Sequence, residues 1–466
     1  MTKREKENKA ASRYAAFLES KRQLGGNHGF EAIEIPSYLF DFQASLVEWS
    51  LRRGRAAIFA DCGLGKTPMQ LVWADNVMRH AGGPVLVLTP LGVTRQTVHE
   101  GEKFHVDTVR SSDGTWDGGS RVVVTNYERL HHFDPAKFVG CVCDESSILK
   151  NFDGATKAAV TEFMRRIPYR LLCTATAAPN DSIELGTSSE AIGELGFMDM
   201  IGRFFKKQTS TTSRSDEFRS GTYRFRGHAE RDFWRWVCSW GRAVRKPSDL
   251  GFDDGKFVLP KLRTTEHIVS ATTKREGWLI DMPAISLEEQ RDERRRTIKE
   301  RCELAAELAT NHKGASVSWC HLNDEGHMLE RMIPGSVEVE GADTDERKEE
   351  IFEAFENGEI KKLVTKPTIA GFGLNWQHCH HQTFFPSHSF EQWYQAIRRC
   401  WRFGQKKEVR VDVISSQGEA GVVSNLRRKS EAADRMFAQL VALMNDTLRI
   451  EKQENIINNQ QNPSWL

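Results

Sequence analysis

The feature that most restricts the fold is a recurrence of short apolar runs with no polar alternation. Ala56-Ala-Ile-Phe-Ala60, Val85-Leu-Val-Leu88, Arg121-Val-Val-Val-Thr125, Val139-Gly-Cys-Val-Cys143 and Tyr169-Arg-Leu-Leu-Cys173 are strand-length, and helix-length segments separate them. A strand wetted on one face alternates apolar and polar residues. Strands without that alternation are buried on both faces, as in a parallel sheet covered by its crossover helices. The pattern breaks after residue 180 and resumes with Ala315-Ser-Val-Ser-Trp319, Ser336-Val-Glu-Val339, Lys362-Leu-Val-Thr365, His381-Gln-Thr-Phe-Phe385 and Val409-Arg-Val-Asp-Val413. The expected fold is therefore α/β, with two parallel-sheet lobes.

The organisation follows from the interruptions. Residues 1–34 read as a polar arm, 35–180 as the first lobe, 181–260 as a mostly helical insertion, 261–420 as the second lobe, and 421–466 as a C-terminal helix and tail. Within the insertion, Gln208–Asp216 reads as a mobile loop, and the aromatic run Phe233–Trp240 has helical spacing. Asp281–Arg301 carries mixed charge and reads as a solvated helix or linker. Met436, Phe437, Leu440, Val441 and Met444 recur at helical spacing, so the C-terminal helix should pack back onto the core.

Composition closes off other classes. A chain of 466 residues with 28% charged residues and apolar runs this short is not a membrane protein, and 39% hydrophobic content is too much for disorder throughout. No apolar segment follows the charged start Met1-Thr-Lys-Arg-Glu-Lys-Glu7, so no secretory signal is expected. Nine cysteines without framework spacing suggest reduced thiols and a cytoplasmic setting.

Chemistry enters where the first run ends. Ala60-Asp-Cys-Gly-Leu-Gly-Lys66-Thr67 lies between a strand and the helix-like Met69–Val77, with Pro68 suited to a first helical turn. Gly63, Leu64 and Gly65 would let backbone N–H groups converge on phosphate oxygens. Lys66 would reach the β/γ-phosphates, and Thr67 would ligate Mg²⁺. Downstream, Cys141-Val-Cys-Asp144-Glu145 delivers two acids to a strand tip. Asp144 would hold Mg²⁺ and Glu145 would orient and deprotonate the attacking water.

These motifs, with those that follow, resemble superfamily 2 helicases and, within them, the Swi/Snf-like DNA-dependent ATPases, in a minimal bacterial or phage form. Phe42-Gln43, with Trp49, is similar to the adenine-recognising motif. Asp144-Glu145-Ser-Ser-Ile-Leu-Lys150-Asn151 is similar to the acidic one. Thr174-Ala-Thr176 with Pro179-Asn180 and Glu184-Leu185 resembles the motif coupling hydrolysis to DNA. Ala370-Gly-Phe-Gly373-Leu-Asn375 looks like the fifth motif, and Gln395-Ala-Ile-Arg-Arg399-Cys-Trp-Arg402-Phe-Gly404-Gln405 like the sixth. The order matches from about Phe42 to Val413. Departures are Cys62 for a usual Glu, Ser146-Ser147 for Ala-His, and Trp401 for a frequent His.

The resemblance implies RecA-like lobes, with ATP and Mg²⁺ as cofactors and DNA rather than RNA as partner. The implied activity is ATP hydrolysis coupled to movement on DNA, most simply duplex. Arg399 and Arg402 would complete the ATP site across the lobe interface. Thr89, Arg95, Thr125, Asn126, Thr174, Thr176 and Gln405 would contact DNA or couple to it, without reading sequence. Two alternatives stay open: a strand-separating DNA or RNA helicase, and a loading module whose nucleotide state only switches DNA affinity. A net charge of +1 suits a weak, salt-sensitive grip.

Other clusters invite blander readings. His378-Cys-His-His381, with Cys320-His321, lacks a Cys-x-x-Cys pair and is expected to be packing, not zinc. Phe233–Trp240 is expected to pack in a core rather than stack on bases. Arg294-Arg-Arg296 sits among acids and reads as a solvated face. Lys406, Lys407 and Arg410 fit a basic surface as readily as a plain solvated one.

Overall fold

Continuous burial is what the apolar runs dictate, and the chain satisfies it twice. The computed structural model describes residues 28–119, 121–178, 181–207, 223–270, 287–370 and 374–460. In the first lobe, β1 (Arg55–Ala60), β2 (Val85–Thr89), β3 (Thr108–Arg110), β4 (Val122–Asn126), β5 (Gly140–Asp144) and β6 (Tyr169–Thr174) form a parallel sheet. After a small antiparallel hairpin of β7 (Phe205–Lys207) and β8 (Tyr223–Phe225), β9 (Gly241–Val244) joins that sheet beside β1. The order is β3-β4-β2-β5-β6-β1-β9. Ala57 and Phe59 face one hydrophobic layer, while Ala56, Ile58 and Ala60 face the other. Both faces are dry, so neither shows polar alternation.

The second lobe repeats the solution with β10 (Leu262–Val269), β11 (Ser316–Trp319), β12 (Ser336–Val339), β13 (Lys362–Thr365), β14 (His381–Phe384) and β15 (Val409–Ser416). Their order is β10-β15-β14-β11-β13-β12, every pair parallel. The two parallel α/β lobes and the long C-terminal helix agree with the expectation.

The segment 181–260 is tied to the first lobe. It carries helices at Leu185–Ile192, Phe197–Phe204 and Ala229–Trp240 as well as the edge strand β9. Phe233, Trp234, Val237, Cys238 and Trp240 are buried in the first lobe's core, the packing outcome. The C-terminal helix Ala420–Gln460 spans about 60 Å at 1.5 Å per residue. It leaves the second lobe and returns Met436, Phe437, Leu440 and Met444 to that same core. Arg245 anchors it, 3.0 Å from Asp434 and over the Phe437 ring at 4.5 Å.

One expectation fails. The stretch around Arg294–Arg301 is not a solvated face. Arg301 is fully buried, 2.7 Å from the buried Glu325, and Arg294 donates to Glu419 at 2.9 Å and to the Pro386 carbonyl at 2.8 Å. Acids supplied by other elements take these arginines into the lobe, and charge counted along the chain does not reveal them. The expected loop Gln208–Asp216, the start of the polar arm and residues 281–286 lie outside the described residues. All nine cysteines are unpaired and buried, and among the described residues no helix is long and apolar enough to cross a membrane.

Candidate functional site

Strand order positions the site. β5, β6 and β1 are neighbours, and their registers set Asp144 against Cys173 and Phe59 against Thr174. The acidic pair, Thr174 and the glycine loop therefore emerge at one sheet edge, the carboxyl ends of parallel strands where α/β proteins hold ligands. The loop leads into the helix Lys66–Ala81, which stops at Gly82 in the left-handed region. Gly63 and Gly65 have φ of 87° and 73°. A Cβ on Gly65 would lie 2.3 Å from Gln43 Nε2, and one on Gly63 would lie 2.7 Å from the Phe403 backbone nitrogen. Conformation and close approach both require glycine there.

A cleft of about 400 Å³ opens between the lobes. From the first lobe it takes Gln43, Cys62, Gly63, Gly65, Lys66, Thr67, Asp144 and Glu145; from the second, Asn375, Arg399 and Arg402. Phe40, Phe257 and Phe403 close one end, with Phe257 stacked on Phe403 at 4.7 Å and edge-on to Phe40 at 4.9 Å. Phe42 is buried beside them, 5.1 Å from Phe257. Leu64 is buried, and its carbonyl accepts from Gln43 Nε2 at 2.8 Å; Gln43 Oε1 accepts from Phe40 N at 3.0 Å. Gln43 thus braces the glycine loop.

The charges are arranged for an anion and a cation together. Lys66 Nζ donates to the Ala60 carbonyl at 3.2 Å. Burial pulls its ammonium down, but Glu145 and Asp144 outweigh that and leave it raised. Asp144 accepts from Gln70 Nε2 at 2.6 Å, and burial beside Glu145 pushes its carboxyl up to about 6. Among the described residues, Glu145 is one of two non-glycine residues with positive φ, at 48°. That conformation costs about 1–2 kcal/mol, and such strain gathers where a side chain must be aimed. Gln395 Nε2 and Thr174 Oγ1 each lie 3.4 Å from Glu145 Oε2.

Arg399 reaches the cleft from the end of the helix Phe390–Ile397, donating to Gln395 Oε1 at 2.8 Å and the Leu374 carbonyl at 3.3 Å. Arg402 donates to the same carbonyl at 2.8 Å and keeps a buried Nε without a partner. Burial and the neighbouring Arg399 lower its guanidinium to about 10.

Three groups were not singled out from sequence. Asp61, in the loop, receives both Arg398 and the Tyr394 hydroxyl from the second lobe, and the ion pair is buried on both sides. Arg398 also lies 4.4 Å over the Trp401 ring. Gln70 and Glu100 are the others; Glu100 lines the cleft, its carboxyl raised by burial. The double arginine at 398–399 was the only available signal, and nothing local says which of the two faces the loop acid.

The residues expected to contact DNA or couple to it lie mostly inside the lobes. Thr89, Thr125, Asn126, Thr174, Thr176 and Gln405 are buried. Thr89 shares a hydrogen bond with Thr94 at 3.0 Å, and Thr174 Oγ1 accepts from Thr176 N at 3.1 Å. Gln405 donates to the Cys379 and Cys400 carbonyls at 2.8 and 3.2 Å and accepts from the Lys406 and Lys407 amides, which makes it an internal brace of the second lobe. Arg95 alone is well exposed, and it pairs with Glu349 of the second lobe. Gly373 and Pro179-Asn180 lie outside the described residues. The His378–His381 tract follows its packing reading: Cys379 bonds the Ala315 carbonyl at 3.4 Å, and His381 pairs with Asp412 at 3.0 Å.

No family model and no curated protein matches the sequence. Among solved structures, the chain is similar to the SWI2/SNF2 ATPase core of Sulfolobus solfataricus in complex with dsDNA. The identity is 16%, with 89% of this chain and 97% of that one covered, at a TM-score of 0.42. The functional reading rests instead on the chain's own residues.

Proposed function

We propose that this protein is a DNA-dependent ATPase that couples ATP hydrolysis to movement on duplex DNA. The observation that carries the reading is the interlobe cleft lined by Lys66, Thr67, Asp144 and Glu145 on one side and by Arg399 and Arg402 on the other. The residues fit a magnesium–nucleotide pair: a loop with no room for side chains, an unpartnered buried guanidinium nitrogen, and an acidic pair whose repulsion a divalent cation would relieve. Thr67 and Asp144 would hold Mg²⁺, which neutralises phosphate charge as it develops.

The remaining work falls to the protein. The phosphate loop and Lys66 hold the triphosphate, Gln43 and the phenylalanine cluster hold the base, and Glu145 takes a proton from the attacking water. Arg399 and Arg402 stabilise charge on the transferring phosphoryl group, where such arginines contribute about 10³–10⁵ in rate. Because they belong to the other lobe, turnover requires closure, and closure tied to nucleotide state gives a stepping cycle. The choice of DNA rests on the motif series in the sequence.

The test is ATP turnover with no nucleic acid and with duplex, single-stranded and forked DNA and RNA. Duplex should stimulate most, and Lys66→Ala should abolish turnover. Equal rates with and without DNA, or an active Lys66→Ala variant, would overturn the reading. Triplex displacement separates movement from nucleotide-switched loading, and fork unwinding separates it from strand separation.

A further inference from the structure

Apart from the residues that line the cleft, the second lobe carries a cluster that the proposed motor does not use. Glu338 lies on β12, the edge strand of the second sheet, and Glu340 follows it. His327 faces both from the helix Asn323–Met332, its Nε2 3.3 Å from Glu340 Oε2 and 3.9 Å from Glu338 Oε2. One donor atom from each of the three lies within 4.8 Å of the others. Four ligands held tetrahedrally about 2.0–2.2 Å from a metal sit roughly 3.3–3.6 Å apart, so small side-chain shifts complete the set.

Proximity of acids alone would mean little, but Glu338 is unusual. Its side chain is 5% exposed, and Oε1 has no hydrogen-bond partner. An orphaned carboxylate oxygen in that setting is costly. The helix also makes room for the carboxylate. A Cβ on Gly326 would lie 1.8 Å from Glu338 Oε1, and a glycine inside a helix costs about 1 kcal/mol relative to alanine. The backbone thus makes room for a buried carboxylate whose unpartnered Oε1 lies against Gly326 while its Oε2 faces the imidazole.

We propose that His327, Glu338 and Glu340 bind a divalent transition-metal ion of the zinc class, joining the helix Asn323–Met332 to the sheet edge. An imidazole with two carboxylates favours such ions over Mg²⁺ or Ca²⁺, which prefer all-oxygen sets. His327 is half exposed and Glu340 partly so, which leaves the remaining positions to water.

The full chain, stripped with a chelator, is titrated with Zn²⁺ by calorimetry and with Co²⁺ by visible absorption. One saturable equivalent is expected. His327→Ala and Glu340→Gln, both at partly exposed positions, should each weaken binding by about tenfold or more. Zn²⁺ should raise the Tm of the parent chain but not of these variants. The absence of a saturable site, binding unchanged in both variants, or displacement by equimolar Mg²⁺ would overturn the proposal. The buried cysteines do not compete in the folded chain. None of these readouts depends on ATP turnover.

Discussion

Arg398→Met isolates the contact that joins the phosphate loop to the other lobe. Asp61 accepts from Arg398, the Tyr394 hydroxyl and its neighbour Cys62 N, the last at 2.6 Å, and both charged side chains are more than nine-tenths buried. Removing one partner of a buried ion pair costs about 3–5 kcal/mol, because the other charge is left dry. Here the partners sit on different lobes. When the lobes part, Asp61 regains water, so the penalty falls on the closed state and not on folding. At about 1.4 kcal/mol per factor of ten, closure should become roughly 10²-fold to several thousand-fold less favourable. DNA-stimulated ATP turnover should fall by a similar factor while the Tm stays nearly constant. The double variant Asp61→Asn/Arg398→Met removes both charges and should recover most of the loss. Turnover within about threefold of the parent, well below the cost of a broken buried pair, would refute the argument. So would a collapsed Tm with normal activity per folded molecule, since the pair would then be a folding contact.

Other outcomes follow from the same geometry. Gln43→Ala removes the brace on the Leu64 carbonyl, so ATP affinity should drop about tenfold or so, the worth of one buried hydrogen bond, and preference for ATP over GTP should fall in competition binding. Asp144 titrates near 6, so Mg²⁺–ATP should bind about tenfold more weakly at pH 5 than at pH 7, where protons no longer compete. The stability sign runs the other way: with its pKa raised on folding, the nucleotide-free protein gains stability from this group as pH falls from about 6 towards 4, and Asp144→Asn should remove that gain in urea unfolding. Gln405→Ala should lower stability by about 1–3 kcal/mol by leaving buried backbone groups unpaired, with the salt dependence of DNA binding unchanged. Arg399→Lys should reduce turnover by about 10³ or more while ATP binding persists, because lysine does not reproduce the guanidinium fork.

What the sequence determined by itself is local. Apolar runs without alternation require strands covered on both faces, and two blocks of them require two sheets. A glycine loop between strand and helix, and two acids at a strand tip, are positioned by the strands that carry them. The places of Lys66, Thr67, Asp144 and Glu145 in the fold were therefore legible, and the paired arginines were legible as a motif.

Tertiary structure decided the partners. It placed β9 on the first sheet, sent the C-terminal helix back to the first core, and buried Arg301 against Glu325. It turned Gln405 and the threonines inward and gave Arg398, not only Arg399, a role at the phosphate loop. It also set Gly326 beneath Glu338. The physical reason is common to all of these. A backbone preference or an apolar period is carried by neighbours in the chain, whereas a buried charge or amide takes whichever partner the packing brings within about 3 Å. That partner lies in another element, where no spacing rule reaches.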